Sequence, residues 1–334
     1  MRIFFSFFLF LFCLNLLGQE RHVSEKRALQ LMGTDFEITI VAKEHATAKK
    51  YIETAISEIK RIEKIISSWD DDSETSKINK NAGIASVKVS PELFGLIERS
   101  LLISKITDGA FDISYAALDN IWRFNISMDY VPTPKQIKNS VSKVGFKNII
   151  IDKDKQTVFL SKKGMKIGFG AIGKGFAADM AKKLLQSKGV PGGIINAAGD
   201  LTTWGTQVSG KKWMIGITNP LDKSKVFSWL PIVESSVATS GNYEKYIVFK
   251  DEKYSHIIDP RTGKPSKGVK SVSVFAKKAE MCDALATSIF VMGVETGLSV
   301  INQLNGVEVI IVDDKDKIHK SNGIEFDTVA VTGR

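Results

Sequence analysis

The run Met281-Cys282-Asp283-Ala284-Leu285-Ala286-Thr287, continued by Ile289, Phe290, Val291 and Met292, is apolar on nearly every side yet contains a carboxylate. A helix that is apolar all round has to lie inside a protein. Asp283 and Thr287 stand four residues apart, so they share one helix face. A carboxylate buried without a partner costs on the order of 3 kcal/mol or more. Two arrangements remove that cost. A hard cation such as Mg²⁺ takes oxygen ligands and commonly keeps phosphate oxygens as others, which points to phosphate chemistry. Alternatively, Asp283 faces its own helix dipole and Thr287 bonds back to its own helix.

The chain starts Met1-Arg2-Ile3, runs from Phe4 to Leu17 with almost nothing polar, and then reads Gly18-Gln19-Glu20. One positive charge followed by a short apolar core predicts a signal peptide over residues 1–18, with an uncleaved N-terminal anchor as the alternative. The run is shorter than the roughly 20 apolar residues of a membrane span. Residues 19–334 are then expected as one exported domain, periplasmic or attached to the outer face of the inner membrane. Beyond the signal only Cys282 remains. No internal disulfide is possible, so the core has to be large enough to hold the fold alone. The formal net charge is +9, but the lysines are scattered in pairs such as Lys49-Lys50 and Lys182-Lys183. No dense basic block with interleaved aromatics occurs, which excludes nucleic acid as the expected partner. The charge suits an anionic substrate or a peripheral membrane contact, or reflects lysine-rich composition alone.

Thr34 to Val41 alternates like a half-buried strand. Ala46 to Ile66 carries Ile52, Ala55, Ile56, Ile59, Ile62 and Ile66 on one stripe and predicts a long amphipathic helix. Trp69 to Gly83 reads as a polar loop. Ser90-Pro91 caps a helix that stops by Gly109. Thr157–Leu160 and Met165–Phe169 flank a turn and predict a hairpin. Ala171 to Gln186 predicts a helix, and Gly193–Asn196, Trp213–Ile217, Tyr246–Phe249 and Val269–Phe275 predict strands. After the Asp283 helix come a second helix near Leu298–Leu304 and a closing hairpin of Val307–Val312 with Ile318–Phe326. Strands and helices do not alternate regularly, so the expected class is α+β.

Gly168-Phe169-Gly170-Ala171-Ile172-Gly173 matches the dinucleotide pattern G-x-G-x-x-G at a helix start. A Rossmann unit would need a parallel βαβ context, and the predicted hairpin before it argues against one. What remains is general: glycines admit an anion, and a helix N-terminus offers free N–H groups. Lys174 in the first turn opposes the dipole and is better tolerated beside an anion. Ordinary packing on small residues is the other explanation. His256, at a strand end beside Asp259, has the chemistry of a general base near neutral pH; a hydrogen-bonded structural histidine is the alternative. Cys282 has no evident base and is not expected to be a nucleophile.

Several segments together resemble the ApbE family of FAD:protein FMN transferases. They are Met32-Gly33-Thr34, Thr107-Asp108-Gly109-Ala110-Phe111-Asp112, Gly170 through Asp179, Asn196-Ala197-Ala198-Gly199-Asp200, Ala238-Thr239-Ser240-Gly241-Asn242-Tyr243, His256 through Gly263, and Asp283 through Thr287. They occur in the family order and span nearly the whole of residues 19–334. Ala198 stands where the family usually has a second glycine.

The resemblance implies an α+β, T-fold-like architecture of mixed sheets and packed helices around a flavin-nucleotide cleft. It implies Mg²⁺, and FAD as a substrate cleaved at its pyrophosphate. FMN would pass to a Thr or Ser of an acceptor flavoprotein subunit of a membrane redox complex, with AMP leaving. It places the metal on the Ala171 carbonyl and the Asp283 and Thr287 side chains. It places FAD against Met32, Trp69, Ala110, Phe111, Asp112, Gly168, Lys174 and Ile257, with Trp69 on the isoalloxazine and His256 as the base. The residues alone leave three alternatives open: an FAD pyrophosphatase, a non-catalytic flavin-binding protein, and a Rossmann-type oxidoreductase.

Overall fold

Eight strands lie in one sheet in the same order as they occur in the chain. They are β1 (Val23–Leu31), β2 (Thr34–Ala42), β3 (Gly192–Ala197), β4 (Asp200–Trp204), β5 (Ser236–Gly241), β6 (Val269–Ala276), β7 (Glu308–Asp313) and β8 (Ile318–Lys320). Every neighbouring pair is antiparallel. The computed structural model describes residues 22–118, 121–122, 124, 130–219, 222–232, 234–242, 246–249 and 252–325, with only the backbone path for 217–219, 222–232 and 252–253. The expected signal peptide, Tyr243 and the end of the closing hairpin at Phe326 lie outside the described residues.

Among the described residues seven α-helices fill the gaps of this meander: α1 (His45–Ile66), α2 (Glu74–Lys80), α3 (Pro91–Ile106), α4 (Pro134–Val141), α5 (Gly173–Ser187), α6 (Ala279–Met292) and α7 (Val294–Ile301). The helix α1 packs on β2 and α5, α5 on β3, β4 and α6, and α6 on β5 and β6. The predicted α1 stripe is the face that is buried, and Phe36, Ile38 and Ile40 of β2 meet it from the sheet. All five residues of β4 are buried, including Asp200, because the opposite sheet face is also covered. There Val41, Leu201, Trp213 and Val237 form a second cluster under the hairpin of strands 213–219 and 222–232. The α+β class holds, with antiparallel ladders throughout the described residues. No described helix is long and apolar enough to cross a membrane.

Three expectations are corrected. Residues 69–83 are not all loop, since 74–80 form α2. Its start was legible: Ser73 Oγ accepts Ser76 N–H at 2.9 Å and Glu74 favours the dipole. Its buried side chains are Thr75, Ser76 and Ile78, so a search for apolar periodicity passes over it. Nor does Met165–Phe169 pair with Thr157–Leu160. The latter lies between Ile149–Asp152 and Val87–Lys88 in a three-stranded sheet. The 165–169 segment is held by a side chain instead: Asn79 of α2 accepts from Ile167 N at 2.8 Å and donates to Ile167 O at 3.0 Å. The Rossmann reading still fails, because no strand of a parallel unit precedes α5. The second helix of the C-terminal region also starts earlier than expected, at Val294.

Two-residue turns join β1 to β2 (Met32-Gly33, φ +51° and +71°) and β3 to β4 (Ala198-Gly199, φ +52° and +99°). Positive φ at both positions matches the twist of such hairpins. Because Phe36 of β2 opposes Ala197 of β3, the turns lie side by side at one end of the sheet. Ala198 carries a Cβ in the left-handed region, a strain of about 1–2 kcal/mol. Ala198→Gly is therefore expected to raise stability in urea unfolding by up to about 1 kcal/mol, less the entropy glycine gains when unfolded. A lower midpoint would show that the turn is not strained.

Candidate functional site

The turns, the start of α5 and one face of α6 converge at this end of the sheet. A Cβ built on Gly173 would lie 4.0 Å from Met32 Cε, so Met32 reaches across to the first turn of α5. The glycine segment before α5 is clamped on its other side. Gly168 N–H donates to Ile113 O at 2.9 Å. A Cβ on Gly170 would lie 2.4 Å from Tyr115 Oη, and one on Gly168 3.2 Å from Ala116 Cβ. Glycine is required at Gly170 because that hydroxyl occupies the space. The hydrogen-bond ladder of α5 begins with Phe176 N–H to Ile172 O, one residue beyond the Ala171 carbonyl. Gly175 turns its N–H to Asp283 Oδ2 instead, at 3.3 Å.

Asp283 thus faces the N-terminus of a neighbouring helix, not its own dipole. The residue is 4% exposed. Lys174 Nζ lies 3.4 Å from both its oxygens and 3.0 Å from Asp200 Oδ2, making one ammonium between two buried carboxylates. Burial drives the Asp200 carboxyl well above the ordinary carboxylate value, and Asp283 adds to the shift while Lys174 opposes it. For Lys174, burial works against the charge, but Asp200 and Asp283 outweigh it and the pKa rises. The anion expected near Lys174 is present, in the form of two carboxylates. Thr287 Oγ1 is 3.4 Å from Ser240 Oγ on β5, across to the sheet. Burial also raises the Tyr115 phenol, with Gly170 and Lys174 pulling the other way, so it remains a neutral hydroxyl. Tyr115, Asp200 and Ser240 complete this corner, and none was singled out as a site residue from the sequence. Asp200 and Ser240 stand within motifs of the family resemblance, whereas no sequence signal marks Tyr115.

The remaining expected residues surround this corner through the 109–116 segment. Trp69 is 89% exposed, and its neighbour Ser68 touches Gly168. Ala110 and Phe111 bury their side chains, so any ligand contact from them is through the backbone. Asp112 is committed to the protein: Oδ1 accepts Ser114 N–H at 2.8 Å and Ser114 O–H at 2.6 Å, and Oδ2 accepts Phe146 N–H at 2.6 Å. Burial raises its pKa against those bonds. The His256–Pro265 turn sits on the same segment, where Arg261 Cγ would lie 3.6 Å from a Cβ at Gly109 and Trp122 Nε1 donates to Gly263 O at 2.9 Å. His256 is half-buried, edge-on to Phe124 at 6.4 Å, and Ile257 beside it is buried. Asp259, expected beside His256, has both oxygens engaged by Arg261 at 2.9 and 3.0 Å. Cys282 is buried, donates weakly to Ser236 O at 3.4 Å, and has its pKa pushed up by burial, which excludes it as a nucleophile.

Among the described residues no three His, Cys, Asp or Glu side chains form a metal-binding group. The donors at α6 are of another kind: two carboxylates, a hydroxyl and a backbone carbonyl, all oxygen. Two observations test the fit. Asp200 Oδ2 is buried with an ammonium 3.0 Å away but no aligned hydrogen bond. Asp283 is held only at 3.3–3.4 Å, longer than the about 2.7–2.9 Å of a charge-assisted bond. Both leave oxygen lone pairs open to a hard divalent cation, so the residues fit one.

Asp179 of α5 fixes α6 in place, accepting Ala279 N–H at 3.1 Å and Glu280 N–H at 3.0 Å. Glu280 in turn meets Arg99 of α3 at 2.8 Å. Burial pushes the Asp179 pKa up to about 6, against those backbone bonds. Its unfolded value is about 3.9. Between the two values the folded state holds the extra proton, so this contribution is complete below about pH 4 and lost as pH rises through 6. Asp179→Asn is expected to flatten the stability–pH curve between about pH 4 and 6, measured by urea unfolding. An unchanged slope would assign the titration elsewhere.

The ApbE family profile matches residues 32–311. A protein of Treponema pallidum named FAD:protein FMN transferase is 29% identical over 323 residues, covering 92% of this chain and 89% of its own. One of the same name from Klebsiella pneumoniae is 30% identical over 284 residues, covering 84% and 87%. The crystal structure of the ApbE protein from Thermotoga maritima superposes with a TM-score of 0.82 at 30% identity, over 90% of this chain and 97% of that one. The flavin transferase ApbE from Vibrio cholerae superposes at 0.79 and 26% identity, over 90% and 98%. With the fold and the ordered motifs in agreement, the chain belongs to the ApbE family.

Proposed function

We propose that this protein is a Mg²⁺-dependent FAD:protein FMN transferase acting on exported or membrane redox proteins. The observation that carries it is the buried Asp200–Lys174–Asp283 cluster at the N-terminus of α5, in a chain whose relatives bear that name. Residues 1–18 would export the domain, placing it in the periplasm or on the outer face of the inner membrane.

Asp283, Thr287 and the Ala171 carbonyl would hold the cation, which when bound neutralises charge on the diphosphate oxygens. Lys174, in the first turn of α5, binds the same anion. Met32 and the exposed Trp69 indole offer a thioether and a π face to the isoalloxazine ring. The Ala110–Phe111 backbone, Asp112, Gly168 and Ile257 form the wall against which the rest of FAD lies. In the transfer, a Ser or Thr oxygen of the acceptor attacks the FMN phosphorus. The bond from that phosphorus to the bridging oxygen breaks, and AMP leaves with the bridging oxygen. His256 takes the proton of the attacking hydroxyl and later returns it to water.

Incubating the protein with FAD, Mg²⁺ and an acceptor subunit, and weighing the acceptor by mass spectrometry, tests this reading. Gain of one FMN is expected. Release of FMN and AMP with no gain would make the protein a hydrolase. Asp283→Ala is expected to abolish transfer, and undiminished transfer at the same Mg²⁺ would remove Asp283 from the ion's ligands. His256→Ala is expected to slow transfer by about 10²-fold or more with little change in FAD affinity by titration. Equal losses in both would refute the base role.

A further inference from the structure

We propose that Lys174 is a built-in competitor for the divalent cation at Asp283, and that Asp200 receives its ammonium when the cation binds. The proposal rests on the cation reading above and concerns what controls occupancy of that site. Two buried acid side chains face one ammonium. The ammonium is shared unequally. It stands 3.0 Å from Asp200 Oδ2 and 3.4 Å from each Asp283 oxygen. It also lies 3.5 Å from Gly170 O, beside the Ala171 carbonyl that would ligate the ion. Lys174 therefore occupies the region a cation would enter, touching the same carboxylate.

Two positive ions cannot share Asp283 at such distances without strong repulsion. Lysine suits the exchange, because its flexible stem lets the ammonium move and its side chain is 26% exposed. Asp200 suits the other half. It is 4% exposed, it comes from β4 and not from either helix, and its Oδ2 has no aligned donor to lose. A small swing brings Lys174 fully onto Asp200, satisfies that oxygen and clears Asp283. The ammonium is then paired with one carboxylate and faces the diphosphate together with the ion. Asp200 is thus a positioning residue that acts through Lys174.

The test is Mn²⁺ binding followed by electron paramagnetic resonance, with and without FAD, on the whole protein. Lys174→Met is expected to bind Mn²⁺ about tenfold more tightly than the native protein. Asp200→Asn leaves the ammonium only Asp283 and is expected to bind about tenfold more weakly. In the double variant the Asp200→Asn effect is expected to shrink below about threefold, since its route through Lys174 is gone. If Lys174→Met does not fold, judged by circular dichroism, Lys174→Gln takes its place. Equal or weaker binding by the Lys174 variant overturns the competition. An Asp200→Asn loss that persists undiminished in the double variant makes Asp200 a direct ligand and overturns the relay. If the native protein binds no Mn²⁺ under either condition, the cation reading itself falls, and this proposal with it.

Discussion

The contact between α5 and α6 at Gly175 sets everything around it. A Cβ there would lie 2.3 Å from Ala279 O, so the helices meet backbone to backbone. Only that approach lets the Gly175 N–H reach Asp283 and lets Asp179 cap the first turn of α6. A larger residue would part the helices, and the buried carboxylate would lose its donors. Arg99 and Glu280 tie α3 to the same junction, with the guanidinium also lying 5.6 Å from the Phe176 ring. The placing of Asp283 is therefore a consequence of close helix packing, since its own polar contacts, at 3.3–3.4 Å, are too long to impose the geometry themselves.

Burying three charged groups together is expensive unless each has several partners. Here the cluster is under-satisfied in a specific direction. Lys174 is well matched, whereas the two acids between them face a single cation. A stable structural ion pair would show short, aligned contacts on both sides. Under the function proposed above, the loose distances and the unaligned Asp200 oxygen would be completed by the cation and the diphosphate, for which such pre-organised oxygens are suited.

Much of this was legible in the chain. The α1 stripe, the Ser90-Pro91 cap and the apolar helix bearing Asp283 each express a local rule, so their residues alone disclose them. The all-antiparallel sheet was harder, because β4 and β5 contain Asp200, Thr202, Thr203, Ser236, Thr239 and Ser240 and lack the apolar signature of central strands. The helix α2 and the 165–169 segment elude sequence pattern for a related reason. Asn79 completes the backbone of Ile167, and no periodicity records a side chain acting as a strand. The partnership of Lys174 with Asp200 and Asp283 spans 26 and 109 residues, a tertiary fact that local pattern does not contain. The ordered motifs named the right neighbourhood, and packing decided which atoms face each other.

The sequential order of the sheet has a kinetic side. The other neighbouring strands are joined by tight turns or by stretches no longer than 205–235 or 277–307, but β2 waits for β3 across residues 43–191. Closing so long a loop is entropically slow, and long-range pairing of that kind delays folding. As the chain emerges, the first hairpin would present an open edge until nearly half the polypeptide has followed it. A chaperone that shields that edge would protect the protein at its most vulnerable moment, before either helix of the charged corner has a surface to rest on.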